Sequence, residues 1–215
     1  MIPTLFSLII LPFISSGSMP AVVPAVKTLA VHEISLEDRY SNSYVNNVFK
    51  DNILLAVNYA TDNKITPDNI DWKKIDSQYK GTITLSPGQT FAFHDDVLPQ
   101  FAGKVDKTSN AHFNSQEGFK SDGYLIGDGV CHLASILYWV AKDAGLDALA
   151  PTRHDFAVVP DIPREYGVSI YDNLSAKGSS NELQNLYITN NKDKAVTFVF
   201  DYDGKDLTVK AEETI

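Results

Sequence analysis

The sequence predicts an α+β protein in which a central helix carrying Cys131 packs on a mainly antiparallel β-sheet. Three observations support this fold class. Residues 131–144 form the clearest apolar stripe at helical spacing in the chain. Short β-like segments separated by turn residues lie on both sides of that helix. The last two of them flank Asp203-Gly204, a dipeptide typical of tight hairpins between antiparallel strands.

The first half of the chain supplies one helix and two strands. Apolar residues recur at helical spacing over 47–63, which predicts an amphipathic helix. Residues 81–85 and 90–93 are β-like, and turn residues separate them at 86–88. Residues 94–124 are polar and rich in Gly, Asn, Ser and Asp. A segment of that length with little periodicity often lines a site, so we expect it to contribute to one.

The second half begins with the helix that carries Cys131, and Gly145 is expected to end it. After Pro151 the pattern changes to short apolar segments of strand length. We expect strands over 156–159, 168–171, 186–189, 196–200 and 207–209. A helix followed by several short strands joined by turns favours a mainly antiparallel sheet.

Residues 1–26 have features of a secretory signal or flexible leader. No charged side chain precedes Lys27, and an apolar stretch at 5–11 is too short to span a bilayer. No Lys or Arg opens the segment, which departs from the usual signal pattern, and a buried strand is the alternative. We therefore expect an exported, extracellular or envelope-associated protein that meets a membrane only through an uncleaved leader. A linker over 27–44 and a single domain over 45–215 would follow.

Composition excludes several classes of function. The chain has 215 residues, with 18 Lys and Arg against 27 Asp and Glu, a formal net charge of −9 and a pI near 4.9. Such an acidic chain repels phosphate backbones, so nucleic acid is not an expected partner. The one cysteine excludes an internal disulfide and a zinc finger built from this chain alone. A free thiol is uncommon in an exported protein unless it is functional.

Cys131 is the candidate nucleophile. It lies in the first turn of its predicted helix, where main-chain N–H groups lower the pKa of a thiol and can bind an oxyanion. A catalytic thiol also needs an imidazole base and a group that orients it. His154, just before the predicted strand 156–159, is the candidate base. Asp172 and Glu165 flank the next predicted strand, and either is a candidate for the orienting acid.

Further side chains near this position are candidates for binding a substrate. Gly129 allows close approach to the main chain, and His132 adjoins the cysteine. Ser135 and Tyr138 lie on the same helix face as the thiol, and His94 begins the polar segment. These five residues are the predicted substrate-binding set.

Other interpretations of the same residues stay open. Asp128 could cap the helix, which would occupy an N–H group and place a negative charge beside the thiol. Cys131 could be only a small buried apolar residue. A zinc site from Cys131, His154 and a further histidine is possible in residue type, but no two of them have a ligand spacing. We therefore expect neither a metal nor a cofactor.

Several motifs resemble those of VanW-like proteins. The segment Lys80–Phe93 resembles the family's G-x-x-x-x-P-G-E-x-F-S-F-N pattern, and Gly127–Tyr138 is similar to its G-G-G-I-C-Q-x-S-S-x-L-Y. Arg153–Asp155 and Leu186–Asn191 resemble its R-H-x-H-S and D-L-x-F-x-N-N segments. The resemblance covers roughly residues 45–210. The departures from the family pattern are Asp128, His132, Ala134 and His94.

The resemblance implies a context and not a reaction. It places the protein in the bacterial cell envelope, as an accessory to vancomycin resistance. A looser similarity to transglutaminase-like and papain-type thiol enzymes implies Cys131 as nucleophile, His154 as base, and Asp172 or Glu165 as the orienting acid. The first hypothesis is thus an exported enzyme that transfers or hydrolyses acyl groups of cell-wall peptide or protein amides. The alternatives are a non-catalytic envelope module that binds a ligand along 94–124, and a purely structural domain.

Overall fold

The computed structural model describes residues 25–61, 65–172 and 180–215. The predicted leader lies outside them except for its last two positions. The helices are α1 (Ser43–Ala60), α2 (Trp72–Ile75) and α3 (Val130–Asp143). The strands are β1 (Val26–Ser35), β2 (Tyr79–Leu85), β3 (Thr90–Ala92), β4 (Val105–Thr108), β5 (Asp147–Leu149), β6 (Tyr187–Thr189), β7 (Val196–Tyr202) and β8 (Asp206–Thr214). Within the described ranges, no helix is both long and apolar enough to cross a bilayer.

The larger sheet has the order β1-β8-β7-β2, and every neighbouring pair in it is antiparallel. The hairpin predicted at 203–204 is confirmed, since β7 and β8 pair across it. Alternate residues of β7 and β8 point into the core, which agrees with the period-two pattern of a sheet with one buried face. Helices α1 and α3 pack against each other, and α3 also covers β1 and β8.

The predicted linker over 27–44 is wrong. Residues Val26–Ser35 form β1, which pairs with β8 from Val26 opposite Thr214 to Ser35 opposite Asp206. Helix α1 begins at Ser43, where the side chain of Asn42 accepts hydrogen bonds from the first turn. The partner strand of β1 lies more than 170 residues away in the sequence, so no local signal marks these residues as part of the domain.

The smaller sheet has the order β4-β3-β6-β5, with β3 and β4 parallel and the other pairs antiparallel. The strands predicted over 156–159 and 168–171 do not form, apart from an isolated bridge between Arg153 and Val168. Phe156 and Val158 are 74% and 78% exposed, so their apolar pattern does not mark a buried strand. The mixed α+β class is therefore confirmed. The papain-like or transglutaminase-like core is not, because it required those two strands.

Helix α3 forms close to its predicted bounds. Its buried face consists of the residues Leu133, Ile136, Leu137, Val140 and Ala141. Gly145 follows its end with a positive φ of 70°, as expected of a residue that stops a helix. Packing of this apolar face fixes the start of α3, and with it the position of Cys131.

Candidate functional site: a groove at the start of helix α3

A cavity of about 700 Å³ opens at the start of α3, and we call it the groove. Cys131, His132 and His154 line it and form a group that we call the thiol cluster. The groove is also lined by exposed apolar and aromatic side chains from two separate loops. These are Tyr124, Leu125 and Ile126 from one loop and Phe156 from the other. Exposed apolar side chains around a cavity are typical of ligand-binding surfaces.

Gly129 sets the geometry at the start of the helix. Its φ is 101°, and an added Cβ would lie 2.7 Å from the carbonyl oxygen of Phe49. Only glycine accepts this conformation and this contact without strain. Gly129 caps α3, and no side chain caps the first turn. The main-chain conformation therefore explains why a glycine occupies this position. Gly129 also lines the groove, and its predicted role as a substrate contact stays a prediction.

The thiol of Cys131 is held by the main chain of a neighbouring segment. The N–H of Ile170 donates to Sγ at 3.4 Å, and the thiol donates to the carbonyl oxygen of Ile170 at 3.5 Å. Burial raises the pKa of Cys131 to about 11; the Ile170 N–H lowers it, and the nearby charge of Asp128 raises it by a smaller amount. A neutral thiol fits this pair of contacts, since it both donates and accepts.

His154 is buried, and one of its ring nitrogens has a defined hydrogen-bond partner. Its Nδ1 lies 3.1 Å from the carbonyl oxygen of Ala157, which can only accept. Nδ1 therefore carries a proton, and in the neutral tautomer Nε2 has the lone pair. The ring also contacts Phe156 at a centroid distance of 3.9 Å. Within the described ranges, no hydrogen bond joins His154 to Cys131 or to a carboxylate.

His132 has the opposite tautomer. Nη2 of Arg39 donates to its Nδ1 at 3.1 Å, so its proton is on Nε2. Burial lowers the pKa of His132 well below its usual value, and the charge of Arg39 and the neighbouring His154 lower it further. The two imidazole rings lie edge to face at 6.2 Å. The thiol cluster thus carries one neutral imidazole, His132, which presents an N–H donor on Nε2, and a second imidazole, His154, whose Nδ1 is held by a main-chain carbonyl.

Comparisons with known proteins agree with the motifs. A family model described as "VanW like protein" matches residues 73–211, which include the whole thiol cluster. The chain belongs to the VanW-like family. No curated protein and no solved structure matches it. The matched range begins well after Arg39, so the family model does not cover the residue that sets the tautomer of His132.

Among the described residues of this VanW-like chain, neither predicted acid makes a hydrogen bond or ion pair with His154. Asp172 lines the groove, but its Oδ1 accepts a hydrogen bond from Asn181 at 3.1 Å, and its charge acts on His94 and His112. Glu165 is exposed in the turn Arg164–Tyr166, away from the groove lining. The described residues therefore show no hydrogen-bonded chain of thiol, imidazole and acid of the kind expected from the transglutaminase-like similarity.

Three predicted substrate-binding residues lie outside the groove lining. Ser135 is buried, donates to the carbonyl oxygen of Cys131 at 2.6 Å and accepts the N–H of Val168 at 2.9 Å. Ser135 thus holds residues 168–170 against α3, where Ile170 contacts the thiol. Tyr138 is half-buried against Tyr166, with ring centroids 6.2 Å apart.

His94 is also placed differently from the prediction. It is buried, with Nε2 3.0 Å from the carbonyl oxygen of Gln184 and Nδ1 3.4 Å from the side-chain nitrogen of Asn185. Both ring nitrogens are therefore used in holding the polar segment to the residues before β6. Burial lowers the pKa of His94, which agrees with a neutral ring in a structural position.

Asp128 lines the groove without capping the helix. Its Oδ2 accepts the N–H of Asp122 at 3.2 Å, and the cap position belongs to Gly129. Burial raises the pKa of Asp128 to about 6, and the charge of Asp122 adds to this effect. Asp128 is therefore a carboxylate that changes charge close to neutral pH inside the groove.

Sequence reasoning named Asp172 as a candidate orienting acid but did not find that it belongs to a second group of side chains along the groove. His112 and Asp172 both line it, and together with Asp95 they form what we call the acid–histidine cluster. His112 Nδ1 lies 2.8 Å from Glu117 Oε1. Burial alone would lower the pKa of His112, but the hydrogen bond and charge of Glu117 raise it overall. The Asn-x-x-Glu capping pattern at 114–117 is the sequence signal that could have found this region.

Proposed function

We propose that this VanW-like protein is an exported accessory module of the bacterial cell envelope that binds an extended cell-wall peptide in its groove. In this proposal Cys131 is part of the groove wall and not a nucleophile. Membership of the VanW-like family supports a role accessory to vancomycin resistance. The observation that carries the proposal is that the Cys131 thiol makes hydrogen bonds with both the main-chain N–H and the carbonyl oxygen of Ile170.

The state of the thiol argues against nucleophilic catalysis. With a pKa of about 11, only about 1 thiol in 10,000 is ionised at pH 7. Catalytic cysteines have pKa values of roughly 3.5–7.5 and pair with a cation or an imidazole. The described residues offer Cys131 no such hydrogen bond. Helix N-terminal N–H groups therefore do not compensate for burial at this position.

The groove has the features of a peptide site. Its volume lies within the range of about 300–1,000 Å³ that is common for ligand sites. His132 Nε2–H can donate to a peptide carbonyl, and the lone pair of His154 Nε2 can accept a peptide N–H. The exposed rings of Tyr124 and Phe156 offer apolar contact to side chains of the ligand.

Charge narrows the choice of ligand. Among the residues that the structure describes, no Lys or Arg lines the groove, while Asp128 does. A ligand with a free amine near Asp128 gains an ion pair, and a ligand that places a carboxylate there is repelled. We therefore expect the bound segment of the cell-wall peptide to carry an amino group.

Calorimetric titration with a synthetic cell-wall peptide tests this proposal. We expect binding of the peptide with a free amine, weaker binding of the same peptide after N-acetylation, and unchanged binding by Cys131→Ser. Phe156→Ala should weaken binding at least about tenfold, since truncated aromatic anchors commonly lose 2 kcal/mol or more. Leu149→Ala is the matched control, because Leu149 is exposed but lies outside the groove. Equal affinities of the wild type and Phe156→Ala would contradict the proposal.

The pH dependence of the same titration identifies the amine contact. Only ionised Asp128 pairs with an ammonium group, so its pKa of about 6 makes affinity rise as pH increases from 5 to 7. The ionised fraction grows about tenfold over that interval, and the affinity should follow it. Asp128→Asn should remove this dependence. The N-acetylated peptide supplies the control without an amine.

A thiol-dependent enzyme is the second candidate. One observation favours it: Cys131, His132 and His154 line the same groove. A bound substrate would then have to displace the thiol from Ile170 and bring it to the lone pair of His154. Turnover of cell-wall peptide that is present in the wild type and absent in Cys131→Ala, with equal stability of the two, would support this candidate over the binding module.

A further inference from the structure

The acid–histidine cluster brings together three potential metal ligands from separate segments of the chain. Asp95 follows β3, His112 lies between β4 and the turn Ser115–Glu117, and Asp172 comes two residues after the Ile170 that holds the thiol. One ligand atom from each residue lies within 4.8 Å of the other two. Donors bound about 2.1 Å from one ion are about 3–4 Å apart, so small side-chain movements suffice to enclose a cation.

Glu117 orients His112 through two hydrogen bonds. Its Oε1 accepts a hydrogen bond from His112 Nδ1–H at 2.8 Å, and its Oε2 accepts one from the main-chain N–H of the same residue at 2.7 Å. In a neutral ring, the lone pair is then on Nε2, the nitrogen that lies 3.6 Å from Asp95 Oδ1. Metal-binding histidines characteristically donate their other nitrogen to a carboxylate, which fixes the ring and its tautomer.

Asp172 supplies a carboxylate oxygen without a partner. Its Oδ1 accepts from Asn181, while Oδ2 is buried and, within the described ranges, has no hydrogen-bond partner. Buried polar atoms are nearly always paired, so such an atom needs an explanation. Among the described residues, the charges that act on Asp172 come from His94, His112, Asp95 and Asp96, and none comes from Lys or Arg. A bound cation would satisfy Oδ2 and offset the excess of carboxylates.

We propose that Asp95, His112 and Asp172 form a binding site for one divalent transition-metal ion, with Glu117 holding His112 in place. A donor set of one imidazole and two carboxylates suits Zn²⁺, which binds both types of ligand. Three protein ligands leave at least one coordination position for water or for a group of a ligand in the groove. The site does not depend on the peptide proposed for the groove.

Metal titration of the full chain tests the site. Protein freed of metal with a chelator is titrated with Zn²⁺ at pH 7 against a chromophoric competing chelator, without any peptide. We expect one saturable equivalent and a rise in unfolding temperature with Zn²⁺. Asp172→Asn and His112→Gln should weaken binding at least about tenfold, and Glu117→Gln about 10- to 100-fold.

Two further variants separate a loss of the metal site from a loss of folding and from a non-specific effect of removing a histidine. Asp95→Asn changes an exposed side chain, so it should fold and still weaken Zn²⁺ binding at least about tenfold, even if the variants at the half-buried His112 and Asp172 do not fold. His32→Gln is the matched control, because His32 also faces a carboxylate, Asp143, at 2.7 Å outside the cluster. No saturable binding, or equal losses in His32→Gln and Asp95→Asn, would overturn the proposal. Failure of peptide binding alone leaves these metal results unaffected.

Discussion

The thiol cluster lies in the same groove as His112 and Asp172 of the acid–histidine cluster, but the two clusters differ in how their polar atoms are used. In the thiol cluster, Cys131 is held by Ile170, His132 by Arg39, and His154 by a main-chain carbonyl. In the acid–histidine cluster, Asp172 Oδ2 has no partner among the described residues. The residues with the stronger motif thus use their polar atoms in hydrogen bonds to other parts of the chain. The residues without a motif offer atoms for a ligand.

The largest effect is expected from replacing Arg39, which donates a hydrogen bond to His132 in the thiol cluster. Its side chain is fully buried, donates to the carbonyl oxygen of Pro160 and to His132, and pairs with Asp161. Arg39→Met leaves these acceptors without their donor, so we expect a loss of about 3–5 kcal/mol in the free energy of unfolding. The pKa of His132 should rise toward its usual value, because the arginine charge lowers it.

Denaturant unfolding measures the stability of Arg39→Met, and NMR titration of the ring protons follows His132. Arg39→Lys is the matched control, since it keeps the charge while losing the forked geometry. A pKa of His132 that stays equally low in Arg39→Met would show that burial alone accounts for the neutral ring.

The second test concerns the start of α3. Gly129→Ala forces a Cβ to within 2.7 Å of the Phe49 carbonyl oxygen at a φ of 101°, so we expect destabilisation of about 2–4 kcal/mol. Gly88→Ala is the control, because Gly88 has a φ of 78° with no atom within 4 Å of an added Cβ. Gly88→Ala should lose only about 1 kcal/mol by the positive φ alone. Similar losses in both variants would contradict the role given to the Phe49 contact.

Local periodicity made α1, α3 and the β7–β8 hairpin predictable from the sequence. The same reasoning failed for 168–171, whose apolar residues are placed by Ser135 and Cys131 and not by a neighbouring strand. It also failed for Arg39, because the residue that it contacts, His132, lies 93 positions away. A motif identifies which residues are grouped, but the hydrogen bonds that set their protonation come from distant segments that a single sequence does not reveal.

The third test releases the segment that holds the thiol. Ser135→Ala leaves the N–H of Val168 without its acceptor and should lower the free energy of unfolding by about 1–3 kcal/mol. The contact of Ile170 with Cys131 should loosen too, so alkylation of the thiol should become faster than in the wild type. Ser169→Ala is the control, since Ser169 donates to Gln184 and not to α3. An unchanged alkylation rate in Ser135→Ala would contradict the inference that Ser135 helps to keep Ile170 in contact with the thiol.

The smallest expected effect comes from Asp128. Burial raises the pKa of Cys131 to about 11 and the Asp128 charge adds to it, so Asp128→Asn should lower that pKa modestly and speed alkylation. In the wild type, the alkylation rate should still rise about tenfold per pH unit from 7 to 10, whereas a free thiol levels off near 9. A plateau below pH 9 would refute the neutral thiol and restore the case for a nucleophile.

Asp128→Asn should also change the pH dependence of stability. The pKa of Asp128 is raised to about 6 in the folded protein, so the folded state binds more protons than the unfolded chain between about pH 4 and 6. Wild-type stability therefore falls as pH rises through this interval, and Asp128→Asn should not show that fall. After allowance for solvent screening, we expect the variant to be more stable at pH 7 by about 1 kcal/mol or less. Denaturant midpoints of the wild type and Asp128→Asn at pH 4.5 and 7 measure the difference in stability. If the wild type gains stability relative to the variant between these pH values, the raised pKa of Asp128 would be contradicted.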